Sequence, residues 1–200
     1  MVTNDLNFYE ALVHLSKTDK ILESVIKEIK PEKPGKREPN FEAIVRIIAG
    51  QQLSSAAAST IFNRLKEFLG KNEITPQLIK KCKPQQILKC GLSNAKTKYI
   101  QNLANLFLEN PSYLDEFKNK ESKYIIEGLQ KIKGIGIWSA SIFALFYLNH
   151  PDIFAWGDVS IKKAIKLLYE VDEKSEHERV SEIISKWKSY RSTACIVLWK

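Results

Sequence analysis

The chain has 200 residues, of which 44% are hydrophobic, which is enough for one compact domain or two small lobes. Its net charge of +8 favours a polyanionic partner. No apolar run reaches membrane-spanning length, and the N-terminal residues lack the basic-then-apolar order of a signal peptide, so we expect neither a membrane protein nor a secreted one. The three cysteines form no C-x-x-C pair, which is typical of reduced intracellular thiols.

The first quarter of the chain shows helical periodicity. Apolar residues at helical spacing over 6–29 predict two short helices with a break near Thr18-Asp19. Residues 30–39 are charged and rich in proline and glycine, which predicts a linker and a domain boundary. A helix is predicted over Phe41–Gly50, and a short link over 51–54 leads into the next helix.

The rest of the chain continues the helical pattern. Prolines that follow Thr75 and Lys83 predict two helix starts, and Ser93 is predicted to cap a further helix. A capping box that begins at Ser175 predicts a helix reaching Lys188, and Arg191–Trp199 predicts a last helix. No stretch shows sustained period-two alternation, so we predict an all-α fold.

Two of the predicted helices are joined by a very short glycine-rich hairpin, Gly134-Ile135-Gly136. Glycine alone enters positive φ without steric cost, so we expect a turn too tight for other residues. A helix that begins there aims unpaired N–H groups outward, and these favour an anion such as phosphate. Downstream, Asp158 follows Gly157 and begins another amphipathic segment. A phosphate site with one carboxylate downstream suggests chemistry on a nucleic acid.

The same features also allow a purely structural interpretation. A G-x-G between helices is often only a turn, and an aspartate at a helix start is often an N-cap. The hairpin alone therefore leaves catalysis and simple DNA binding both open.

The hairpin segment resembles the helix-hairpin-helix DNA glycosylases. It matches the pattern L-x-x-I-x-G-I-G-x-x-(S/T)-A, and Asp158 lies where that family has its catalytic aspartate. The resemblance covers most of 41–199 and is most specific to DNA-3-methyladenine glycosylase II and its short relatives, which lack the N-terminal β domain of the larger members. The segments that carry it are IVRIIAGQQLSSAAAS, ILKCGLSNAKTKYIQNLA, GIGIWSASIFALF, DIFAWGDVSIKKAI and WKSYRSTACIVLW.

The resemblance implies two helical lobes, 40–148 and 1–30 with 151–200, with the helix-hairpin-helix motif at the cleft between them. It implies a monomer that excises alkylated bases from double-stranded DNA during base excision repair, with the damaged nucleotide flipped into the cleft. We expect no cofactor and no metal; in particular, the cysteines do not fit the four-cysteine iron–sulfur cluster of some relatives. The expected location is the cytoplasm or nucleoid, or the nucleus in a eukaryote.

The resemblance makes Asp158 the catalytic residue. Its carboxylate would stabilise the positive charge that grows on the sugar, and it would orient the attacking water. Bifunctional relatives have a lysine two residues after the second hairpin glycine, where this chain has Trp138. Because an indole cannot form a Schiff base, hydrolysis by water is expected. Trp138 would instead stack on a cationic, electron-poor base, although core packing is also consistent with its position.

Further candidates extend the site. Trp156, Trp187 and Tyr190 are candidates for the pocket wall, although Trp187 also has the helical spacing of a core residue. Gln52 and Leu53 both lie where the family inserts a wedge into the duplex, and the sequence does not separate them. The predicted DNA contacts are Lys133, Gly134, Gly136 and Ser139, with Lys96 and Lys98 as additional phosphate contacts.

Two alternatives remain beside an alkylbase glycosylase. One is a non-catalytic binder of damaged or distorted DNA, which would use the same hairpin and charge. The other is a glycosylase for another damaged base, such as uracil. Asp158 favours an enzyme, because a binder gains nothing from an unpaired acid that faces polyanionic DNA.

Overall fold

The protein is described by a computed structural model that covers residues 7–70, 73–172 and 176–200. Across these ranges it contains twelve α-helices, one short 3-10 helix at Tyr113–Phe117 and no strand, which confirms the all-α prediction. The α-helices are α1 (Phe8–Thr18), α2 (Lys20–Ile29), α3 (Phe41–Gly50), α4 (Ser55–Leu69), α5 (Pro76–Lys81), α6 (Pro84–Leu88), α7 (Asn94–Glu109), α8 (Ser122–Gln130), α9 (Ile137–Phe146), α10 (Val159–Tyr169), α11 (Glu176–Ser185) and α12 (Arg191–Leu198).

Local capping chemistry sets many of these helix starts. Asn40, Ser54 and Ser93 each accept a backbone N–H bond from the first turn of the helix they precede, as polar N-cap side chains do. Thr75 does the same for α5, and prolines occupy the first turn of α5 and of α6. The helix starts predicted at these positions are confirmed.

The end of α11 differs from the prediction. The helix stops at Ser185 rather than at Lys188, and the next three N–H groups bond to carbonyls three residues back. Such bonds tighten the chain into a turn, which is completed by Ser189 with φ of +74°. The capping box predicted at Ser175 lies outside the described residues.

The chain divides into two compact units. One comprises the residues up to Arg37 together with Ala144–Lys200, and the other comprises Glu38–Phe143. In the first unit, α12 packs against α1, α2 and α10, and its residues from Ser192 to Leu198 are all buried. In the second, α7 packs against α3, α5 and α6. The predicted cleft between two functional lobes stays a prediction.

None of the helices in the described part of the chain is long and apolar enough to cross a membrane.

Candidate active site

The hairpin between α8 and α9 is built on one glycine with an unusual backbone. Gly134 has φ of +93°, in the region that other residues rarely adopt. The ring of Tyr99, on α7, lies against it so closely that a Cβ atom at Gly134 would overlap the ring. Ile135 then donates its N–H to Ile132 O at 3.0 Å, which closes the turn. The tight turn predicted from the sequence is confirmed at Gly134.

Gly136 does not share this constraint. Its φ is not positive, and a Cβ atom placed on it would meet nothing within 4 Å. The expectation that the turn is too tight for residues other than glycine is therefore wrong at Gly136, where an added Cβ atom meets no neighbour and φ is not positive. The open space lies just before the first turn of α9, where helix N–H groups have no intrahelical partner. Gly136 thus stays a predicted DNA contact.

The remaining hairpin candidates fall into two groups. Lys133 is exposed, so its ammonium group is accessible to a phosphate. Ser139 is only 3% exposed, and its Oγ accepts a hydrogen bond from Gln51 Nε2 at 2.9 Å. The structure therefore does not support Ser139 as a direct DNA contact and gives it an internal role instead.

The link between α3 and α4 places both predicted wedge residues at the surface. Gln52 is exposed with φ of +58°, and Leu53 is 41% exposed, which is high for a large apolar side chain. Lys96 lies behind this link and donates from Nζ to the carbonyls of Ala49 and Gln51, at 3.0 and 2.7 Å. Its expected role as a phosphate contact is not supported, because the ammonium group faces these two internal acceptors. Lys98 is exposed.

Asp158 is the N-cap of α10, and three N–H groups donate to its Oδ1 atom. Its Oδ1 accepts hydrogen bonds from the backbone N–H groups of Ser160 and Ile161 and from Trp199 Nε1, each at 3.0 Å. Two of these donors are local capping contacts. The third comes from the residue that follows α12, so it fixes the carboxylate against a different helix.

Trp199 is the residue that sequence reasoning missed. It lies 41 residues after Asp158, and no local spacing rule connects the two. Its ring stacks on that of Phe146, with centroids 5.3 Å apart and an interplanar angle of 24°. The guanidinium of Arg37 lies 4.8 Å from the centroid of the Phe146 ring, a cation–π contact. The indole that donates to Asp158 therefore has little freedom to turn away.

The segment before Asp158 is also fixed to α12. Arg191 forms a bidentate pair with Asp152, with N–O distances of 2.6 and 2.7 Å. The hydrogen bond to Asp152 is the main reason that the pKa of Arg191 is raised. Ser192 Oγ accepts from Ile153 N at 3.0 Å and donates to His150 O at 2.6 Å. These contacts anchor the chain five to eight residues ahead of the catalytic candidate.

The thiol of Cys195, on α12, lies near Asp158. Cys195 is fully buried, and burial, reinforced by the nearby Asp158 carboxylate, raises the pKa of its thiol to about 12. The thiol therefore stays protonated and does not act as a nucleophile near neutral pH. All three cysteines are free thiols. Within the described ranges there is no group of three or more His, Cys, Asp or Glu side chains that could hold a metal ion.

The aromatic candidates differ in exposure. Trp138, the second residue of α9, is half-buried, and so are Trp156 and Tyr190. Trp156 stacks on the ring of His177, with centroids 5.6 Å apart, and Tyr190 lies beside the ring of His14. Each keeps some accessible surface, so each stays a predicted pocket residue.

The structure corrects the prediction that Trp187 forms part of the pocket wall. Its side chain is 0% exposed, and its Nε1 donates to Asp19 Oδ2 at 2.9 Å in the core of its unit. A side chain without accessible surface cannot form the wall of a substrate pocket. The helical spacing noted in the sequence reflects this core position.

Comparison with known proteins adds the family. Residues 45–189 match the model of the family described as "HhH-GPD superfamily base excision DNA repair protein". The chain is 30% identical to DNA-3-methyladenine glycosylase 1 of Schizosaccharomyces pombe, over 96% of this chain and 86% of that protein. It is 28% identical to the alkylbase DNA glycosidase-like protein mag2 of the same organism, over 100% and 96%.

Solved structures of DNA glycosylases also resemble this chain. The S. pombe 3-methyladenine DNA glycosylase Mag1, in complex with abasic DNA, superimposes with a TM-score of 0.81 at 27% identity, covering 96% of this chain and 95% of that chain. A DNA-3-methyladenine glycosidase from Bacillus halodurans gives a TM-score of 0.80 at 28% identity, covering 98% and 89%. The family match spans well over half of the chain and includes the hairpin and Asp158. This protein belongs to the HhH-GPD superfamily of base excision DNA repair proteins.

Proposed function

We propose that this protein is a monofunctional DNA glycosylase that hydrolyses the N-glycosidic bond of alkylated bases, of the 3-methyladenine and 7-methylguanine type. The observation that carries the proposal is the carboxylate of Asp158, fixed through Oδ1 by three N–H donors in a chain of this family. Relatives that match over nearly the whole chain are named DNA-3-methyladenine glycosylase 1 and alkylbase DNA glycosidase-like protein mag2.

The chemistry needs a fixed negative charge more than a strong acid. Positive charge grows on the sugar as the glycosidic bond breaks, and a preorganised carboxylate stabilises that transition state more than the ground state. The same carboxylate orients the water that attacks C1′. A purine alkylated at N3 or N7 is already cationic, so it leaves without strong protonation by the enzyme. One rigid aspartate therefore suffices for catalysis.

The proposed partner is double-stranded DNA with the damaged nucleotide flipped out of the stack, because the glycosidic bond is inaccessible inside a duplex. Lys133, Gly134 and Gly136 would bind the phosphate backbone at the start of α9, and Gln52 or Leu53 would fill the space that the nucleotide leaves. Trp138, Trp156 and Tyr190 are the proposed walls for the flipped base. We propose that the protein acts as a monomer, in the compartment that holds the DNA.

Asp158→Asn tests this proposal, because the substitution removes the charge and can keep the three hydrogen bonds to Oδ1. Asparagine keeps an Oδ1 that can accept the same three hydrogen bonds, and it is about as good an N-cap as aspartate. We expect the melting temperature to change little and the release of 3-methyladenine and 7-methylguanine from methylated DNA to fall by about a hundredfold or more. DNA affinity should hold or rise slightly, because a carboxylate that repels phosphate is gone.

A matched control is Asp115→Asn, which removes one exposed carboxylate and should leave excision unchanged. An Asp158→Asn protein that folds, binds DNA and excises at the parental rate would remove Asp158 from the mechanism. A parental protein that binds damaged DNA but releases no base, uracil included, would instead support the non-catalytic binder.

A further inference from the structure

Lys96 occupies an unexpected position for a lysine. It is the third residue of α7, and a positive charge in the first turn opposes the dipole of its own helix. The side chain instead reaches the C-terminal end of α3, where Nζ donates to the carbonyls of Ala49 and Gln51 at 3.0 and 2.7 Å. A cation at a helix C-terminus satisfies carbonyls that have no intrahelical donor. Burial lowers the pKa of Lys96, as expected for an ammonium group withdrawn from water.

Gln51 is also held from its other side. Its backbone carbonyl accepts from Lys96, while its Nε2 donates to Gly134 O at 2.8 Å and to Ser139 Oγ at 2.9 Å. Both protons of the side-chain amide can be used in this way. Gln51 therefore joins the end of α3 to the hairpin and to α9. These contacts connect two surface features, the 51–54 link and the hairpin.

The 51–54 link contains a backbone conformation that needs such support. Gln52 has φ of +58°, which costs a non-glycine residue free energy and persists where neighbouring contacts fix the chain. Leu53 follows, 41% exposed, and donates its N–H to Gly50 O at 3.2 Å. The exposed pair Gln52 and Leu53 is thus presented by a loop whose first residue is held by Lys96 and the hairpin.

We propose that Lys96 is a positioning residue that holds the 51–54 link in the conformation that enters DNA, and that it does not itself contact phosphate. The proposal rests on the proposed function, because it assumes that this link fills the space left by a flipped nucleotide. Two of the three protons of the ammonium group already have carbonyl acceptors, so its charge is used within the protein. Its loss would leave the backbone carbonyl of Gln51 without this donor and let Gln52 relax to negative φ.

The test compares Lys96→Met with Lys118→Met, which removes an exposed lysine and serves as the control for one lost charge. The probe is a duplex oligonucleotide with a tetrahydrofuran abasic-site analogue, bound at several salt concentrations. We expect Lys96→Met to weaken binding by about tenfold at every salt concentration, with an unchanged slope of log K against log salt. Hydrogen exchange of the amides over 50–55 should become faster by about tenfold, while the melting temperature changes little and Lys118→Met behaves like the parent.

Each of the following results would overturn the proposal. A slope that becomes shallower by about one would make Lys96 a phosphate contact. Unchanged affinity or unchanged exchange over 50–55 would show that the link does not depend on it. Lys96→Arg, which keeps a cationic donor, should restore most of the affinity, and failure of that rescue would count against the proposal.

A second variant covers the case in which Lys96→Met does not fold. Gln51→Ala removes the side-chain contacts to Gly134 and Ser139 but keeps both bonds from Lys96 to backbone carbonyls, so exchange over 50–55 should stay near the parental rate. Much faster exchange in that variant would show that the side chain of Gln51, and not Lys96, holds the link, and would overturn the proposal. None of these readouts needs base excision, so a failure of the proposed function, seen as no released base, is distinguishable from a failure of the positioning role.

Discussion

At the scale of single residues, the three bonds to Asp158 Oδ1 differ in origin. Those from Ser160 and Ile161 come with the helix start and could be expected of any aspartate N-cap. The bond from Trp199 requires α12 to pack beside the start of α10. An isolated N-cap needs only the local donors, so the additional donor indicates that the direction of this carboxylate is set by the tertiary structure.

Trp199→Phe tests that interpretation. Phenylalanine keeps an aromatic ring to stack on Phe146 but removes the N–H that donates to Asp158. We expect single-turnover excision of 7-methylguanine to fall by about tenfold, because one charge-assisted hydrogen bond is lost, while substrate affinity changes little. Trp199→Leu, which also loses the ring, should lower the melting temperature as well. Parental excision by Trp199→Phe would show that the local donors alone fix the carboxylate.

Trp138 gives a second prediction at this scale. A bifunctional enzyme forms a Schiff base between an amine and the sugar, and an indole cannot do so. We expect the products of excision to be intact abasic sites without strand cleavage, and borohydride to trap no covalent protein–DNA adduct. Denaturing gels of the reaction, with and without borohydride, measure both. A trapped adduct would identify another lysine as the nucleophile.

The position of Asp158 at a helix start could be predicted from the sequence, whereas the predicted pocket position of Trp187 was wrong. The difference between the two has a physical reason. An N-cap is a local feature, so a single residue and its neighbours reveal it. Trp187 is buried in contact with Asp19, whose Oδ2 accepts from Trp187 Nε1 and from the hydroxyl of Tyr169 at 2.9 and 2.8 Å. Burial and this hydrogen bond raise the pKa of Tyr169 above its usual range, so the hydroxyl stays a donor. Contacts across such sequence separations leave no local pattern.

At the scale of elements, the hairpin shows how much of a turn can be predicted from its glycines alone. The two glycines of Gly134-Ile135-Gly136 are equivalent in the sequence, but only Gly134 has positive φ and only Gly134 lies against Tyr99. Most of the predicted helix starts followed from caps and prolines, which act locally, whereas the predicted end of α11 was wrong. The difference between the two glycines involves the ring of Tyr99 on α7, and the sequence alone does not predict that this ring lies against Gly134.

Paired alanine substitutions exploit this difference. Gly134→Ala adds a Cβ that overlaps Tyr99 at a positive φ, and we expect a loss of about 3 kcal/mol in the free energy of unfolding. Gly136→Ala adds a methyl group in open space and should leave stability nearly unchanged. It should nevertheless weaken DNA binding, because the methyl group stands where a phosphate would approach the first N–H groups of α9.

Urea denaturation and DNA titration of both variants separate the two effects. Equal stability losses would contradict the assignment of the tight turn to Gly134 alone. A Gly136→Ala protein with parental DNA affinity would remove the start of α9 from the proposed phosphate site.

At the scale of the whole molecule, not all of the 31 Lys and Arg side chains are available to DNA. Arg191 is paired with Asp152, Lys66 with Glu42, and Lys96 with two carbonyls, so these cationic groups stabilise the fold. The salt dependence of binding counts the phosphates that are contacted rather than the net charge. It therefore reports directly on the size of the DNA footprint.

We expect a small footprint centred on the hairpin. If about four phosphates are neutralised, log K should fall against log salt with a slope of roughly −3 to −4, and binding should depend little on sequence. Lys133→Met should make the slope shallower by about one, because an exposed lysine beside Gly134 loses its phosphate, whereas Lys118→Met should leave the slope unchanged. Fluorescence anisotropy of a labelled duplex over a range of salt concentrations measures both slopes. Binding that is insensitive to salt, or a Lys133→Met slope equal to the parental one, would place the phosphate contacts elsewhere on the molecule.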